Sequence, residues 1–376
     1  MKKLHLVVVA FFLLISCTNN KKFQISGTIT NFGNPTSATM LYLKTRNVDD
    51  LFVIIDSTFV KDDGSFVLKG ETPETDLFFL TDQDNVFFLR IFVEPGNNIT
   101  ITGSATDIYN LKIEGSETQT QYFEYLTLLR DIDEEKETIY HNYSVYKQDP
   151  SISEKQLEII VEDLSAKLQH LEELTEKASF DFIRGNENSV VAAYLVYGNA
   201  LSVKNSSEIE KQLQMLSPSM NNKFITLTKK HLEKLKLVER GKVFPNVELP
   251  NTEGELISLE SFRGKYVLVD FWATWCGPCI GAIPNLKNIY QQYHHKGFEI
   301  YGISLDQNRE AWLNGIAKLE INWVNVSDLL MFNSPVVKQM VVTYIPHTFL
   351  LDPNGVILAV DINDEELEKI LTEKLR

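Results

Sequence analysis

An apolar run, Tyr266-Val267-Leu268-Val269-Asp270-Phe271, leads within a few residues into Trp275-Cys276-Gly277-Pro278-Cys279, and a helix-forming stretch follows at residues 280–294. A strand, a turn and a helix in that order place both cysteines at the start of the helix. Downstream, strand-type segments at 298–305, 348–351 and 356–361 alternate with helical segments at 309–319 and 334–341, and a closing helix begins at 364. Alternating strands and helices predict an α/β domain over residues 241–376. A β-hairpin through Thr252-Glu253-Gly254 is expected in its amino-terminal stretch. The nucleophile of disulfide exchange is a thiolate, and the unpaired N–H groups and dipole at a helix N-terminus stabilise that charge. Cys276 is therefore the expected attacking thiolate. Cys279, one turn further on, is placed to attack the mixed disulfide and release the reduced substrate. Pro278 suits an early helical position, and Gly277 leaves room for a substrate backbone.

The use of cysteine sharpens this reading. The chain of 376 residues has three. The first, Cys17, follows Met1-Lys2-Lys3 and an apolar run at residues 6–15, which has signal-peptide anatomy and is too short to span a bilayer. Leu14-Ile15-Ser16-Cys17 resembles the bacterial lipobox. That resemblance implies removal of residues 1–16, lipidation of Cys17 and a polar tether at 17–22. Such a protein is held at a membrane yet folds in water. Bacteroides-type lipoproteins that reach the outer cell surface usually carry acidic residues just after that Cys, and none directly follows Cys17, so the resemblance implies an anchor facing the periplasm, as a lipoprotein of the cell envelope. Without Cys17 a single adjacent pair remains. Exported chains more often use cysteines as scattered staples, so this pair is expected to be the chemistry.

The remainder reads as two further regions. Residues 23–115 show short β-type runs, broken at Gly33-Asn34-Pro35, Asp62-Asp63-Gly64 and Glu94-Pro95-Gly96-Asn97, which predicts a β-sandwich-like domain. Its aromatics Phe78, Phe79, Phe87, Phe88 and Phe92 are read as core. Residues 116–240 turn to helix formers. Leu157, Ile160, Val161, Leu164, Leu168, Leu171 and Leu174 form an amphipathic stripe, with Ser151 or Ser153 as its cap. Lys167 interrupts the stripe, which favours an intramolecular helical hairpin over a coiled-coil dimer. The acidic run at 131–135 is read as a solvated face. The expected architecture is thus multidomain: a β-sandwich-like domain, a central α-helical region and a C-terminal α/β domain. With 51 acidic against 36 basic residues the formal charge is −15, which excludes a nucleic-acid partner.

The run Val-Asp-Phe-Trp-Ala-Thr-Trp-Cys-Gly-Pro-Cys at 269–279 resembles the active-site signature of the thioredoxin superfamily. Tyr344-Ile345-Pro346-His347-Thr348-Phe349 resembles the family's cis-proline loop. Ile300-Tyr301-Gly302-Ile303-Ser304-Leu305-Asp306, with the extra strand and helix before that loop, is similar to the membrane-tethered TlpA/ResA subgroup. The turn at residues 60–66 and Phe92-Val93-Glu94-Pro95-Gly96 resemble a β-rich domain of unknown function found in Bacteroides-type lipoproteins.

This resemblance implies a thioredoxin fold for 241–376, a cis bond before Pro346, and a substrate segment added as a strand along Ile345. Trp275, Gly277 and Pro278 would complete the substrate face. Asp270 would move a proton to or from the second thiol, since burial raises a carboxyl pKa toward neutrality. Where many ResA-like proteins carry a Glu three residues after the second cysteine, this chain has Ala282, and Asp270 becomes the better acid–base candidate. His347 reads as an exposed loop residue, His294 and His295 as solvated, and Trp272 as packing or site. The expected cofactor is none beyond a redox-active Cys276–Cys279 disulfide, and no metal is expected because too few soft ligands accompany the pair.

The implied partners are disulfide-containing exported proteins and a membrane thiol electron donor. The Gly-Pro pair resembles that of reducing thioredoxins and points to a reductase. The alternatives are a disulfide donor of the same fold, or a partner-binding scaffold with a secondary redox module.

Overall fold

Alternation of apolar and polar residues builds the first half of the computed structural model, which describes residues 21–32, 39–47, 51–202 and 205–375. Cys17 and the signal-peptide reading lie outside the described residues. Among them, no helix is long and apolar enough to cross a membrane. The chain divides into two compact units. One runs to Phe182 and includes Ser189–Val191; the other comprises Ile183–Asn188 and everything from Ala192.

The first unit contains β1 (Lys22–Thr30), β2 (Met40–Arg46), β3 (Phe52–Phe59), β4 (Ser65–Glu71), β5 (Asp76–Asp82), β6 (Phe88–Val93), β7 (Asn98–Ser104) and β8 (Lys112–Glu114). They form two four-stranded sheets, ordered β4-β1-β7-β8 and β3-β2-β5-β6. Ile25, Leu41, Leu43, Leu68, Leu80, Ile91, Ile99 and Ile101 are fully buried. Phe78, Phe79, Phe87 and Phe92 join them in burial, and Phe88 is half-buried. Strand β6 starts two residues later than the sequence pattern indicates. Asn85 turns the chain at a left-handed φ of 55°, and Asp82 accepts the Phe87 N–H at 3.1 Å.

Helices α1 (Glu117–Gln148) and α2 (Glu154–Gly185) follow. Ser116 caps α1 by accepting the Gln119 N–H at 2.9 Å. Ser153 and Gln156 form a reciprocal cap at the start of α2: Ser153 Oγ accepts the Gln156 N–H, and Gln156 Oε1 accepts the Ser153 N–H at 3.0 Å. Ile139 of α1 packs on Leu164 and Leu171 of α2. The seam is narrower than the sequence stripe, because Val161 and Leu174 are exposed. Gln119 Oε1 accepts the Phe92 N–H at 2.7 Å, so α1 covers the free edge of β6.

The second unit begins within the helices: α3 (Val190–Ala200), α4 (Ser206–Leu213) and α5 (Lys223–Leu235). The chain continues through β9 (Glu248–Pro250), β10 (Leu256–Ser258), β11 (Tyr266–Trp272), α6 (Gly277–Tyr293), β12 (Phe298–Ser304), α7 (Arg309–Leu319), β13 (Val324–Val326), α8 (Pro335–Gln339), β14 (His347–Leu351), β15 (Ile357–Val360) and α9 (Asp364–Lys374). The five-stranded sheet is ordered β13-β12-β11-β14-β15. Strands β11, β12 and β13 are parallel, whereas β14 runs antiparallel to β11 and to β15. Leu232, Leu235 and Val238 are buried in the same core as Val269, Phe271 and Phe349. The compact unit therefore reaches upstream of residue 241.

Candidate active site

The site grows out of the central strand. Residues Val267 to Trp272 of β11 are all buried, and the chain leaves the sheet at Ala273 to reach α6 five residues after the strand ends. Cys276 is the N-cap of α6, and its Sγ accepts the Cys279 N–H at 3.2 Å. A thiolate at that atom would face the same donor and the positive end of the helix dipole. Pro278 occupies the first turn, where its missing N–H costs no helical bond. Cys276 and Cys279 are joined in a disulfide with Cα atoms 5.3 Å apart. Both cysteines are almost wholly buried, whereas Gly277, Pro278 and Trp275 are exposed. Trp275 is 50% exposed and its ring lies 6.4 Å from that of Phe332.

A buried clamp holds the turn between strand and helix. The Asp306 carboxylate accepts the Thr274 N–H at 3.1 Å, the Thr274 hydroxyl at 2.5 Å and the Ser304 hydroxyl at 2.8 Å. Thr274 also fills the space beside Gly315 of α7, where an added Cβ would stand 2.3 Å from its Cγ2. The residue before Trp275 is thus fixed from two sides.

Asp270 is buried on β11 and makes no hydrogen bond or ion pair among the described residues. Desolvation alone pushes its carboxyl up to about 7. A group titrating there can hold or release a proton near neutral pH.

The Ile345–Pro346 bond is cis. Strand β14 starts at the next residue and pairs with β11 so that His347 faces Phe271 and Thr348 faces Asp270. Register alone therefore sets the cis-proline loop beside the end of β11 from which the dithiol turn departs. Pro346 is exposed and Ile345 half-buried.

One expectation is corrected, and the surroundings of two further residues are defined. His347 is buried, not an exposed loop residue. Its ring packs against Phe349 at 4.9 Å and Tyr344 at 5.3 Å, and its Nδ1 lies 3.0 Å from Asp361 Oδ1. That approach lacks hydrogen-bond alignment. His294 is exposed, as expected. Its ring lies tilted 4.5 Å from that of Tyr290, and its Nδ1 stands 3.6 Å from Glu299, a buried carboxylate that also accepts the Tyr290 hydroxyl at 2.9 Å. Trp272 is a packing residue, 2% exposed, with Nε1 donating to Asn325 Oδ1 at 2.9 Å.

Sequence reasoning missed the loop-holding roles of Asp306 and Asp361. For Asp306 a signal existed, since it directly follows the strand-type segment at 298–305. Among the described residues no group of three or more His, Cys, Asp or Glu side chains could hold a metal ion.

Comparison with known proteins adds an independent line. The AhpC/TSA family model matches residues 240–360, and a domain of unknown function (DUF4369) matches residues 23–122. The thiol-disulfide oxidoreductase ResA of Bacillus cereus is 30% identical over 151 residues, 40% of this chain and 85% of that one. ResA of Bacillus subtilis is 31% identical over 123 residues, 33% of this chain and 67% of that one. A solved thiol-disulfide oxidoreductase from Bacteroides fragilis is 42% identical, covering 36% of this chain and all of that one, with a TM-score of 0.34.

Proposed function

The chain belongs to the ResA-type thiol-disulfide oxidoreductases of the thioredoxin superfamily, and from that premise we propose that it is a membrane-tethered reductase of disulfides in exported proteins. The observation that carries the reading is the capping position of Cys276 on α6, with an unpartnered acid on the strand that leads to it. In the reduced protein the Cys276 thiolate attacks one sulfur of a substrate disulfide. The substrate S–S bond breaks, a mixed disulfide forms, and the departing substrate thiolate takes a proton. The Asp270 carboxylate accepts the proton of the Cys279 thiol, which then attacks Cys276 Sγ and expels the second substrate thiol. The substrate gains two electrons and the protein is left with its Cys276–Cys279 disulfide. An upstream thiol donor must return those electrons.

Trp275, Gly277 and Pro278 supply the exposed face on which a partner rests, and the backbone at Ile345 supplies strand pairing. The lipobox-like Cys17 supports a lipid anchor and a periplasmic setting. Extraction of the protein into detergent, lost in Cys17→Ser, tests that part of the reading.

The reduction potential of the pair in the purified protein, found by equilibration with redox buffers and thiol trapping, tests the direction. A value near roughly −270 mV supports the reductase, and one near roughly −120 mV makes the protein a disulfide donor instead. Cys276→Ser should abolish insulin reduction, and Cys279→Ser should accumulate the mixed disulfide. Insulin reduction that survives Cys276→Ser would overturn the reading.

A further inference from the structure

Asp361, directly after β15, touches the cis-proline loop on both of its flanks. Its Oδ2 accepts the Tyr344 hydroxyl at 2.6 Å, two residues before Pro346. Its Oδ1 accepts the Thr348 N–H at 3.0 Å, two residues after Pro346, and the same oxygen lies 3.0 Å from His347 Nδ1. The Asp361 N–H in turn donates to the Thr348 carbonyl at 2.8 Å. One side chain therefore ties the ends of a five-residue arch whose centre is Ile345–Pro346.

Two further observations separate this from an ordinary hairpin contact. Asp361 sits at a left-handed φ of 48°, a conformation that disfavours most side chains and that Asp tolerates through local hydrogen bonding. The inside of the arch is packed by rings, with Tyr344 edge-on to His347 at 5.3 Å and His347 on Phe349 at 4.9 Å. Burial, then the bond to Asp361 and its charge, raise the Tyr344 hydroxyl pKa, so it stays a protonated donor. His231 of α5 lines the small cavity beneath the arch together with Tyr344 and His347. Burial lowers its pKa, so it adds no competing positive charge there near neutrality.

We propose that Asp361 is the positioning residue of the cis-proline loop: by holding Tyr344 and Thr348 at once it fixes the Ile345 backbone edge along which a disulfide-bearing segment adds as a strand. The proposal rests on the protein-disulfide reading given above. Asp361 touches neither sulfur nor substrate; it acts through the loop. Its loss therefore weakens recognition of an extended polypeptide and spares the chemistry of the dithiol itself.

The test compares two disulfides of different size in the full chain purified in detergent. Insulin must present a strand, whereas dithiobis(nitrobenzoate) is a small aromatic disulfide that need not. In Asp361→Ala the kcat/KM for insulin is expected to fall about tenfold, mostly through KM, on the scale of a modestly misplaced binding edge. Tyr344→Phe should lose about threefold, and Asp361→Asn, which keeps one acceptor and tolerates the left-handed backbone, should lie between them. The rate with the small disulfide, and the equilibrium with glutathione, should stay within about twofold.

Equal losses on both disulfides, or none on either, overturn the role of Asp361. A wild type active on the small disulfide and inert toward insulin overturns the protein-disulfide reading and this proposal with it. Should the alanine variant not fold, Asp361→Asn and Tyr344→Phe decide. Amide hydrogen exchange at Thr348 must also quicken in Asp361→Ala; unchanged exchange counts against the clamp.

Discussion

Both compact units bury aspartates, and the two sets are used differently. In the sandwich, Asp76 and Asp82 stand at the two ends of β5 and turn their oxygens to nearby donors of the sheet. Asp76 takes the Leu77 N–H at 2.8 Å and the Thr45 hydroxyl at 3.1 Å, and Asp82 takes the Phe87 N–H. In the α/β unit, Asp306 and Asp361 reach across the chain to hold the two loops that flank the dithiol, and Asp270 takes nothing. Satisfied buried acids are structural parts. An unsatisfied one is tolerated where its titration is needed, and it shows as a raised pKa.

Asp270→Asn is the substitution expected to act most strongly on this contrast. A carboxyl that titrates near 7 in the folded chain and near 4 in the unfolded one keeps its proton in the native state through that window. Between about pH 4 and 7 the native chain binds more protons than the unfolded one, so stability falls as pH rises. The deficit is absent below about 4, complete above about 7, and amounts to roughly 4 kcal/mol. Asn removes it. Denaturant unfolding should show the variant more stable than the wild type at pH 8 and equal to it at pH 4. Release of substrate from the mixed disulfide should slow by about 100-fold near neutrality. Equal stability at pH 8 would mean that Asp270 has a partner, and the comparison between the units would collapse.

Asp306→Ala should come next. It leaves the Thr274 N–H and two hydroxyls without their acceptor, for a loss of about 3 kcal/mol. Because Thr274 precedes Trp275, mixed-disulfide formation should slow in protein that is still folded. A stopped-flow trace with the wild-type rate would make Asp306 a purely structural acid, like those of the sandwich. The smallest effect is expected from Asp82→Asn, about 1 kcal/mol in thermal unfolding, with insulin reduction unchanged. A redox defect there would show that the units are coupled in function.

These contrasts also explain what the sequence could reveal. The dithiol, Asp270 and Pro346 lie in short runs whose neighbours announce them: an apolar strand, a helix start, an Ile-Pro pair. The sandwich follows from short β-type runs separated by turn residues, whereas the strand order is set by pairing between distant strands. His347 misled because a single His after a proline looks like a loop residue, and its burial comes from Tyr344, Phe349 and Phe271 closing around it. Asp361 was invisible for the same reason. Its partners stand 13 and 17 residues away, and only the pairing of β14 with β15 brings them together. Strand β8, three residues of Lys112-Ile113-Glu114, carries too little pattern to be seen.

The exposure of Trp275 has an optical consequence. The chain has four tryptophans, and Trp272, Trp312 and Trp323 are each less than a tenth exposed. A dissolved collisional quencher such as iodide therefore reaches one indole of the four, the one beside Cys276. Emission from that ring reports directly on who occupies the face of the dithiol, with no label attached.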